Sequence, residues 1–282
     1  MVTMEAATGQ HIAFYKMHGG GNDFVLVDHR QGFLAMAEQP AFARRVCAGK
    51  VGVGADGLIL IEASPRADFR WRFYNADGSE AEMCGNGARC AARFAVLNGL
   101  AAPQLSFETL AGVIRAEVDG RRVKVAMTGV GEYRRHLDIP LEGEVLHGHF
   151  VRVGVPHVVV QVNELEKVPV QVWGRAVRFH NLFQPAGTNV NFIRVTGPHG
   201  LEVRTYERGV ENETLACGTG AVASALIAAH LGQAASPVSV QTRGGEILTV
   251  SFAGQGDNLT EIFLEGEALV VYRGELWMDE LK

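Results

Sequence analysis

The stretch Met83–Ala88 reads MCGNGA, and a near copy of it, ACGTGA, occupies Ala216–Ala221. Each copy places a cysteine directly before Gly-x-Gly-Ala, and an apolar, alanine-rich run with helical spacing follows. The two cysteines, Cys84 and Cys217, lie 133 positions apart in a chain of 282 residues. The pattern therefore recurs at roughly half length and predicts two similar halves, each with a thiol at the start of an apolar helix.

The surroundings of both cysteines predict an α+β fold. An aromatic strand and an acidic turn precede each cysteine, at residues 73–80 and 205–209. Many strands with one strongly apolar helix per half do not fit the regular strand–helix alternation of a doubly wound sheet. A helix that is apolar on all sides must be buried, so each half is expected to wrap a sheet around a central helix.

The repeat also predicts two domains. We expect an N-terminal domain at residues 1–128 plus 267–282, built around the Cys84 helix, and a C-terminal domain at 129–266, built around the Cys217 helix. Residues 129–148 show the weakest hydrophobic pattern of the chain and are expected to carry the crossing between the domains. A short helix is predicted in each half as well, near residues 38–48 and 169–180.

Composition excludes several classes of function. The chain is 47% hydrophobic and 20% charged, with a net charge of −5 and no basic stripe, which argues against nucleic acid or an anionic membrane as partner. No apolar run reaches 18 residues, and residues 1–10 are polar and acidic, so neither a membrane span nor a signal peptide is expected. The composition therefore predicts a cytoplasmic globular protein.

The cysteine pattern predicts free thiols. Four cysteines without a secretory signal are better interpreted as reduced thiols than as a disulfide framework. No CxxC motif and no Cys/His spacing of a zinc site is present, so no metal is expected. Cys47 and Cys90 are interpreted as small buried core residues. The matching contexts of Cys84 and Cys217 single those two out for chemistry.

A thiol at a helix start suits proton transfer beside a carboxylate. A helix N-terminus presents unpaired N–H groups and about half a positive charge, which favour thiolate over thiol and bind carboxylates. Two such termini facing each other could hold one carboxylate between two thiols. One thiolate would then remove the proton from the neighbouring carbon while the opposite thiol donates a proton to the other face.

At this point the residues resemble the diaminopimelate epimerase family. Residues 73–90 resemble its first signature, and 206–209 with 215–220 resemble its second. Its smaller motifs are matched at 21–24, 52–57, 156–157 and 189–192. The resemblance extends over almost the whole chain, from about residue 12 to about residue 274.

The resemblance implies two pseudo-symmetric domains, each an antiparallel, barrel-like curled sheet around a central helix, with the active site in the cleft between them. It implies a cofactor-independent epimerase that interconverts LL- and meso-diaminopimelate, an amino-acid substrate, on the way to lysine and peptidoglycan. It also implies a homodimer. Cys84 and Cys217 match the family's catalytic cysteines.

The same matching assigns the binding residues. The carboxylate at the reacting centre is expected on the N–H groups of Gly85, Asn86, Gly218 and Thr219. Glu207 is expected to take the reacting amino group, assisted by His157, and Arg208 to hold the distal carboxylate. The remaining implied binding residues are the amides Asn22, Asn75 and Asn191.

Two departures from the family pattern accompany the match. Many members have Gly-Asn-Pro-His where this chain has residues 154–157 with Val155 in place of the asparagine, so one hydrogen-bonding group for the distal end of the substrate is missing. Residues 210–214 are longer and more acidic than the Gly-rich connection of some members. The first departure concerns the distal end of the substrate, and neither touches the thiol pair.

Rival functions remain open. Racemases of proline or histidine also use two cysteines, although the proline type typically has a histidine where this chain has Asn86. A phenazine-pathway isomerase of this kind lacks the cysteine pair. A thiol redox or metal-binding module is the rival from a different class, and turnover through a reversible disulfide, or bound zinc, would reveal it. We predict instead that Cys84 and Cys217 can oxidise to one another with loss of activity.

Overall fold

The structure, a computed structural model, describes residues 11–254, 256 and 258–281. Its Cα geometry divides the chain into two units: unit 1 takes the residues up to Arg121 and from Ala268 onward, and unit 2 takes Arg122–Glu267. The boundaries expected from the sequence were 128/129 and 266/267. The strand Arg122–Ala126 belongs to unit 2 because it pairs with Thr260–Glu267.

Strands dominate both units. Within the described residues the helices and strands, numbered in chain order, are β1 (His11–Gly19), β2 (Asn22–Asp28), α1 (Gln39–Cys47), β3 (Gly57–Glu62), β4 (Phe69–Asn75), α2 (Gly85–Leu97), β5 (Gln104–Thr109), β6 (Gly112–Asp119), β7 (Arg122–Ala126), β8 (Val130–Leu141), β9 (Glu144–Val153), β10 (Val155–Gln161), α3 (Val170–Arg178), β11 (Asn189–Gly197), β12 (Gly200–Glu207), β13 (Asn212–Thr214), α4 (Gly218–His230), β14 (Val238–Gln241), β15 (Ile247–Ala253), β16 (Thr260–Glu267) and β17 (Leu269–Trp277). The predicted helices at 38–48, after Cys84, at 169–180 and after Cys217 are all present.

The pairing pattern shows the internal repeat. Across unit 1 the strand order is β17-β1-β2-β3-β4-β5-β6, and β2 and β3, like β4 and β5, run parallel. Across unit 2 the order is β8-β9-β10-β11-β12-β14-β15-β16-β7, with β13 added along β12, and β10 and β11, like β12 and β14, run parallel. The sheets are therefore mixed, where the family resemblance implied antiparallel ones.

The parallel pairs have a simple cause. Each is joined through a helix, α1 or α2 in unit 1 and α3 or α4 in unit 2, and a helical crossover returns the chain to the same edge in the same direction. The remaining pairs are antiparallel; most of them join through short connections, whereas β1–β17 and β7–β16 bring together strands far apart in sequence.

Each sheet curls around one helix. In unit 1, α2 contacts β1 near one end of the strand order and β6 at the other, as well as β2 and β3. In unit 2, α4 contacts six strands from β9 to β15. A single helix can reach strands so far apart only if the sheet bends around it. Ten of the 13 residues of α4 are buried, as an all-apolar helix requires.

A second helix covers the outer face of each sheet, so the strands alternate between two cores. In unit 2, Val158, Val190 and Tyr206 point outward into the cluster beneath α3. Val159 and Val203 point inward to the cluster around α4. Side chains alternate with a period of two, so three further residues share this inner, helix-facing side: His157 on β10, Asn191 on β11 and Thr205 on β12.

The segment expected to carry the domain crossing is instead a long hairpin within unit 2. β8 and β9 pair over most of their length, with register shifts at Gly131/Arg134 and Arg134/Leu137. Only Ile139 of β8 is buried. A strand with irregular register and one buried side chain has no apolar alternation, so the sequence pattern was uninformative here.

None of the helices in the described part of the chain has the length and apolar character needed to cross a membrane.

Candidate active site

Both predicted thiols lie at helix starts with the same backbone geometry. Cys84 is the N-cap of α2 with φ −146° and ψ 119°, and Cys217 is the N-cap of α4 with φ −131° and ψ 109°. In each helix the next residue is a glycine, Gly85 or Gly218, so the first turn has no side chain at its first position. The extended N-cap leaves the N–H groups of the first turn open to an anion.

The two thiols differ in their immediate contacts. The Cys84 Sγ is half-buried and accepts a hydrogen bond from the Gly87 N–H at 3.5 Å. The Cys217 side chain is 8% exposed, and its Sγ lies 3.6 Å from the Thr219 hydroxyl oxygen. The predicted site residues that follow each cysteine therefore take part in the first helical turn in both units.

A chain of side-chain hydrogen bonds supports the start of α2. Arg89 Nη2 donates to Asn86 Oδ1 at 2.8 Å, Asn86 Nδ2 donates to Asn22 Oδ1 at 2.7 Å, and Asn22 Nδ2 donates to Asp56 Oδ2 at 3.0 Å. Arg89 is fully buried. An arginine can only donate and an ionised carboxylate can only accept, so both amide orientations are determined by the ends of the chain.

Asp56 exchanges two hydrogen bonds with a second acidic residue, Asp23. The Asp56 N–H donates to Asp23 Oδ1 at 2.9 Å, and the Asp23 N–H donates to Asp56 Oδ2 at 3.2 Å. Lys16, which is 7% exposed, makes an ion pair with Asp23 at 2.6 Å and donates to the Gly54 carbonyl. The β1–β2 turn and the loop before β3 are thereby tied to the first turn of α2.

Asn75 lies in the turn that leads toward Cys84. Its Nδ2 donates to the Ser79 hydroxyl at 3.0 Å, and its side chain is exposed. The next residue, Ala76, donates its N–H to the Asp56 carbonyl at 2.9 Å. The structure therefore places Asn75 next to the loop that carries Asp56.

In unit 2 the side chains beneath the start of α4 are uncharged. Asn191 Nδ2 donates to the Val158 carbonyl at 3.0 Å and lies 3.2 Å from His157 Nδ1, and the Thr205 hydroxyl donates to Asn191 Oδ1 at 3.0 Å. His157 and Asn191 are fully buried and Thr205 nearly so. Burial, with a smaller contribution from Arg208, lowers the pKa of His157 to about 3, so its ring is neutral.

Glu207 and Arg208 lie at the end of β12, next to this group. Burial raises the pKa of the Glu207 carboxyl. The Arg208 N–H donates to Asn189 Oδ1 at 2.8 Å, and Arg208 Nη1 donates to the Ala186 carbonyl at 3.0 Å. Burial lowers the pKa of Arg208, and the nearby charges of Arg178 and Arg152 lower it further.

The other two cysteines have core environments. Cys47 is 5% exposed and burial raises the pKa of its thiol to about 12, so it stays protonated. Cys90 is fully buried within α2. Among the described residues, no group of three or more His, Cys, Asp and Glu side chains has an arrangement that could hold a metal ion.

Sequence reasoning missed four residues of these networks. Arg89 could have been noticed as a charge on the buried side of an alanine-rich helix, a position where charge is rarely found unpaired. Asn189 shares the Asn-Val-Asn motif with Asn191, but the motif alone does not separate their roles. Asp56 and Thr205 carry no signal in a single sequence, because carboxylates in glycine-rich loops and threonines in strands are common.

Comparison with known proteins gives a consistent answer. The family model described as diaminopimelate epimerase matches residues 14–133 and 149–271. The diaminopimelate epimerase of Aquifex aeolicus (strain VF5) is 50% identical over 274 residues, which cover 93% of this chain and 97% of the relative.

Solved structures share the fold at much lower identity. A phenazine biosynthesis protein of the PhzF family from Bacillus anthracis has a TM-score of 0.72 at 17% identity, covering 95% of this chain and 99% of that one. A hydroxyproline epimerase from Agrobacterium vitis, with bound trans-4-hydroxy-L-proline, has a TM-score of 0.69 at 15% identity, covering 95% and 93%. These likenesses confirm the two-domain α+β fold predicted from the sequence. With the family match over both halves, they lead to one conclusion: this chain is a member of the diaminopimelate epimerase family.

Proposed function

We propose that this protein interconverts LL- and meso-2,6-diaminopimelate by proton transfer between two cysteines, without a cofactor. The observation that carries the proposal is the pair of thiols at matching helix starts, Cys84 on α2 and Cys217 on α4, in two units that share a run of six strands with the same order and directions. Family membership supplies the substrate, as the names of the curated relatives state it.

The chemistry needs one thiolate and one thiol. The Cys84 or Cys217 thiolate takes the proton from the α-carbon, and the electron pair of the broken C–H bond moves into the neighbouring carboxylate as an enolate-like charge. The thiol of the other cysteine then donates its proton to the opposite face of the carbon. The two sulfur atoms exchange protonation states, so the reverse reaction starts from the opposite assignment.

Backbone N–H groups would stabilise the developing charge. We infer that the carboxylate of the reacting centre binds the first turns of both helices, through the N–H groups of Gly85, Asn86, Gly218 and Thr219. Each helix end contributes about half a positive charge, and its donors are already oriented before the reaction begins. The Asn86 side chain is occupied by Arg89 and Asn22, so it offers its backbone N–H and not its amide oxygen.

Glu207 is proposed to bind the ammonium group at the reacting centre. Its buried carboxyl has a raised pKa, and a bound cation favours ionisation of such a group. Asn22 has one N–H engaged by Asp56, and its second N–H is proposed as a donor to the substrate, next to Asn75.

Arg208 is proposed to hold the distal carboxylate. Arg178 is paired with Glu211 and Arg152 with Glu132, each at 3.0 Å, whereas Arg208 Nη1 donates to the neutral Ala186 carbonyl, so the charge of Arg208 is available to a substrate anion. The Val155 side chain, at the start of β10, cannot donate a hydrogen bond, and Asn189 lies beside Arg208 as a polar group at this end. The charge of Arg208 favours a substrate with a second carboxylate over proline or histidine.

The protein is further proposed to be a cytoplasmic homodimer. The support is the family resemblance together with an exposed apolar surface on β17, where Val271 is 56% and Tyr272 is 45% exposed. Light scattering after size-exclusion chromatography, at about 10 and 100 μM protein, would give the mass in solution. A monomer at both concentrations would contradict this part of the proposal.

The decisive experiment is proton NMR of the reduced protein in D₂O with LL-diaminopimelate, and with L-proline and L-histidine in parallel. Loss of the α-proton signal with growth of the meso isomer, without added cofactor, is the expected result. Exchange only with proline or histidine would keep the thiol mechanism and overturn the substrate. Exchange with none of the three would overturn the proposed function.

A further inference from the structure

His157 is a buried titratable group whose hydrogen bonding is incomplete. The residue is fully buried, and its Nε2 has no hydrogen-bond partner among the described residues. Its Nδ1 lies 3.2 Å from Asn191 Nδ2. A buried polar atom without a partner is uncommon in folded proteins and requires an explanation.

The orientation of the Asn191 amide follows from its surroundings. The Val158 carbonyl can only accept a hydrogen bond, so the amide nitrogen of Asn191 must face it at 3.0 Å. Asn191 Oδ1 then faces the Thr205 hydroxyl at 3.0 Å. The second N–H of Asn191 is left for His157, so His157 Nδ1 accepts and the ring proton resides on Nε2.

The Asn191 amide oxygen also lies close to the backbone of α4. A Cβ built on Gly220, in the first turn of α4, would lie 2.4 Å from Asn191 Oδ1 and 3.3 Å from Cys217 Sγ. The amide oxygen of Asn191 is therefore packed against the start of α4, next to the Cys217 thiol. With Val158, Thr205, His157 and Gly220 around it, the Asn191 amide has no unused side to offer a ligand.

We propose that Asn191 is a positioning residue that holds His157 as the neutral tautomer with its proton on Nε2, so that His157 acts as a fixed hydrogen-bond donor to a carboxylate oxygen of the substrate. This replaces the direct substrate contact that the family resemblance implied for Asn191, and the assistance to Glu207 at the amino group that it implied for His157. The substrate contact of His157 rests on the proposed function; the tautomer does not.

The surroundings of His157 favour its neutral ring. His157 on β10 faces Asn191 on β11 and Thr205 on β12, both uncharged, and burial together with the Arg208 charge disfavours an imidazolium there. A ring that stays neutral does not carry protons during turnover. The proton therefore moves only between the two sulfur atoms and the α-carbon, while His157 contributes one oriented N–H.

The tautomer is measurable in the free protein. Protein labelled with ¹⁵N-histidine, examined by long-range ¹H–¹⁵N correlation NMR, separates the Nε2–H, Nδ1–H and doubly protonated rings. A His157→Asn variant identifies the signals. The expected result is a single Nε2–H tautomer that does not titrate between about pH 5 and 9. A wild-type ring with its proton on Nδ1, or a charged ring at pH 7, would overturn the proposal.

Asn191→Asp tests the mechanism behind the tautomer. A carboxylate can only accept, so it should draw the ring proton to Nδ1 and leave Nε2 as a bare acceptor. The kcat should fall by about 10²-fold, the usual loss when one oriented donor is removed. Asn163→Asp, which makes the same change at an exposed position of unit 2, should keep the wild-type kcat and tautomer.

Two further outcomes are informative. If Asn191→Asp moves the proton and kcat is unchanged, the donor role of His157 is wrong. If the aspartate variant does not fold, Asn191→Leu, which places an apolar side chain of similar size there, should give a mixture of tautomers. A pure Nε2–H ring in that variant would overturn the role of Asn191. Absence of α-proton exchange in the wild-type protein would overturn the proposed function and the substrate contact, while the tautomer measurement still decides the positioning role.

Discussion

The starts of α2 and α4 have one backbone geometry and two different chemical environments. The registers of the sheets match position by position, since Phe24 pairs with Gly57 in unit 1 as His157 pairs with Asn189 in unit 2. Ile59 pairs with Phe73 as Asn191 pairs with Thr205. The three helix-facing residues His157, Asn191 and Thr205 therefore correspond to Phe24, Ile59 and Phe73.

In the helices the contrast is the opposite of that in the sheets: the polar residue is in unit 1 and the apolar one in unit 2. Five residues after Cys84 comes the buried Arg89, whereas five residues after Cys217 comes Val222, buried among apolar neighbours. Unit 1 thus places its polar support in the helix and the loops, and unit 2 places it in the sheet. The two units therefore share the position of the thiol at the helix start and differ in the layer of side chains beneath it.

The largest effect is expected from the cysteines. Cys84→Ser and Cys217→Ser should each lower epimerisation by about 10²–10⁴-fold, because a serine hydroxyl is a far weaker acid than a thiol: it does not ionise at neutral pH to serve as the base, and it donates its proton less readily. Circular dichroism and thermal unfolding should remain close to wild type, since serine is nearly isosteric. Cys47→Ser serves as control and should retain the wild-type rate. A fully active variant at either helix start would remove that thiol from the mechanism.

The turns before the two cysteines should differ in their effect on binding. Arg208→Ala should raise KM for diaminopimelate by about 10–10²-fold, because a charged contact to the distal carboxylate is lost. Asn75→Ala, at the corresponding end of β4, removes a neutral contact and should raise KM by less than about tenfold. Steady-state kinetics of both variants checks this order. An unchanged KM in Arg208→Ala would contradict the distal role.

Adding a methyl group at the third position of α2 or of α4 should change the free energy of unfolding by different amounts. Gly220→Ala places a Cβ 2.4 Å from the buried Asn191 Oδ1 and should cost about 1–3 kcal/mol of unfolding free energy. In Gly87→Ala the nearest atom is the flexible Ile59 Cδ1 at 3.2 Å, so steric cost and helix propensity should offset each other to within about 1 kcal/mol. Urea unfolding measures both. Equal losses would show that the polar layer is no more rigid than the apolar one.

The last effect is a pH dependence of stability, expected from His157 in unit 2 and not from the matching Phe24. The pKa of His157 is about 3 in the folded protein and about 6.5 in an unfolded chain, so between these values only the unfolded state binds the proton. Its contribution to stability is present above about pH 6.5 and is lost as the pH falls, by about 1.4 kcal/mol per pH unit. Urea unfolding at pH 7, 6 and 5 should show this additional slope in wild type relative to His157→Asn. Parallel curves for the two proteins would contradict it.

Sequence reasoning reached the parts of the molecule that repeat. The paired Cys-Gly-x-Gly motifs located both helix starts, and the apolar helices predicted sheets wrapped around them, because a helix without a polar face has to be enclosed. The β8–β9 hairpin was invisible because only Ile139 of β8 is buried. The parallel strand pairs were not predicted. The expected antiparallel sheets did not take into account that each of the four helices connects two neighbouring strands and so makes them run parallel.

Side-chain contacts between residues far apart in sequence could not be predicted. Arg89 and Asp56 act through Asn86 and Asn22, and Asn191 acts on His157, so each role exists only after strands far apart in sequence are aligned. Asn191 and Asn189 share one short motif and one face of β11, and only the register with β10 and β12 shows which amide contacts the imidazole.

The pairing of the last strand, β17, with the first, β1, orders events during synthesis. Every strand of unit 2 lies within the continuous segment Arg122–Glu267, so its sheet can close as soon as that segment has left the ribosome. Unit 1 must wait for residues 269–277, and until then β1 offers an unpaired edge to any neighbouring chain. A nascent or C-terminally truncated protein would therefore hold a finished Cys217 half beside an unfinished Cys84 half, and would be prone to aggregate through β1.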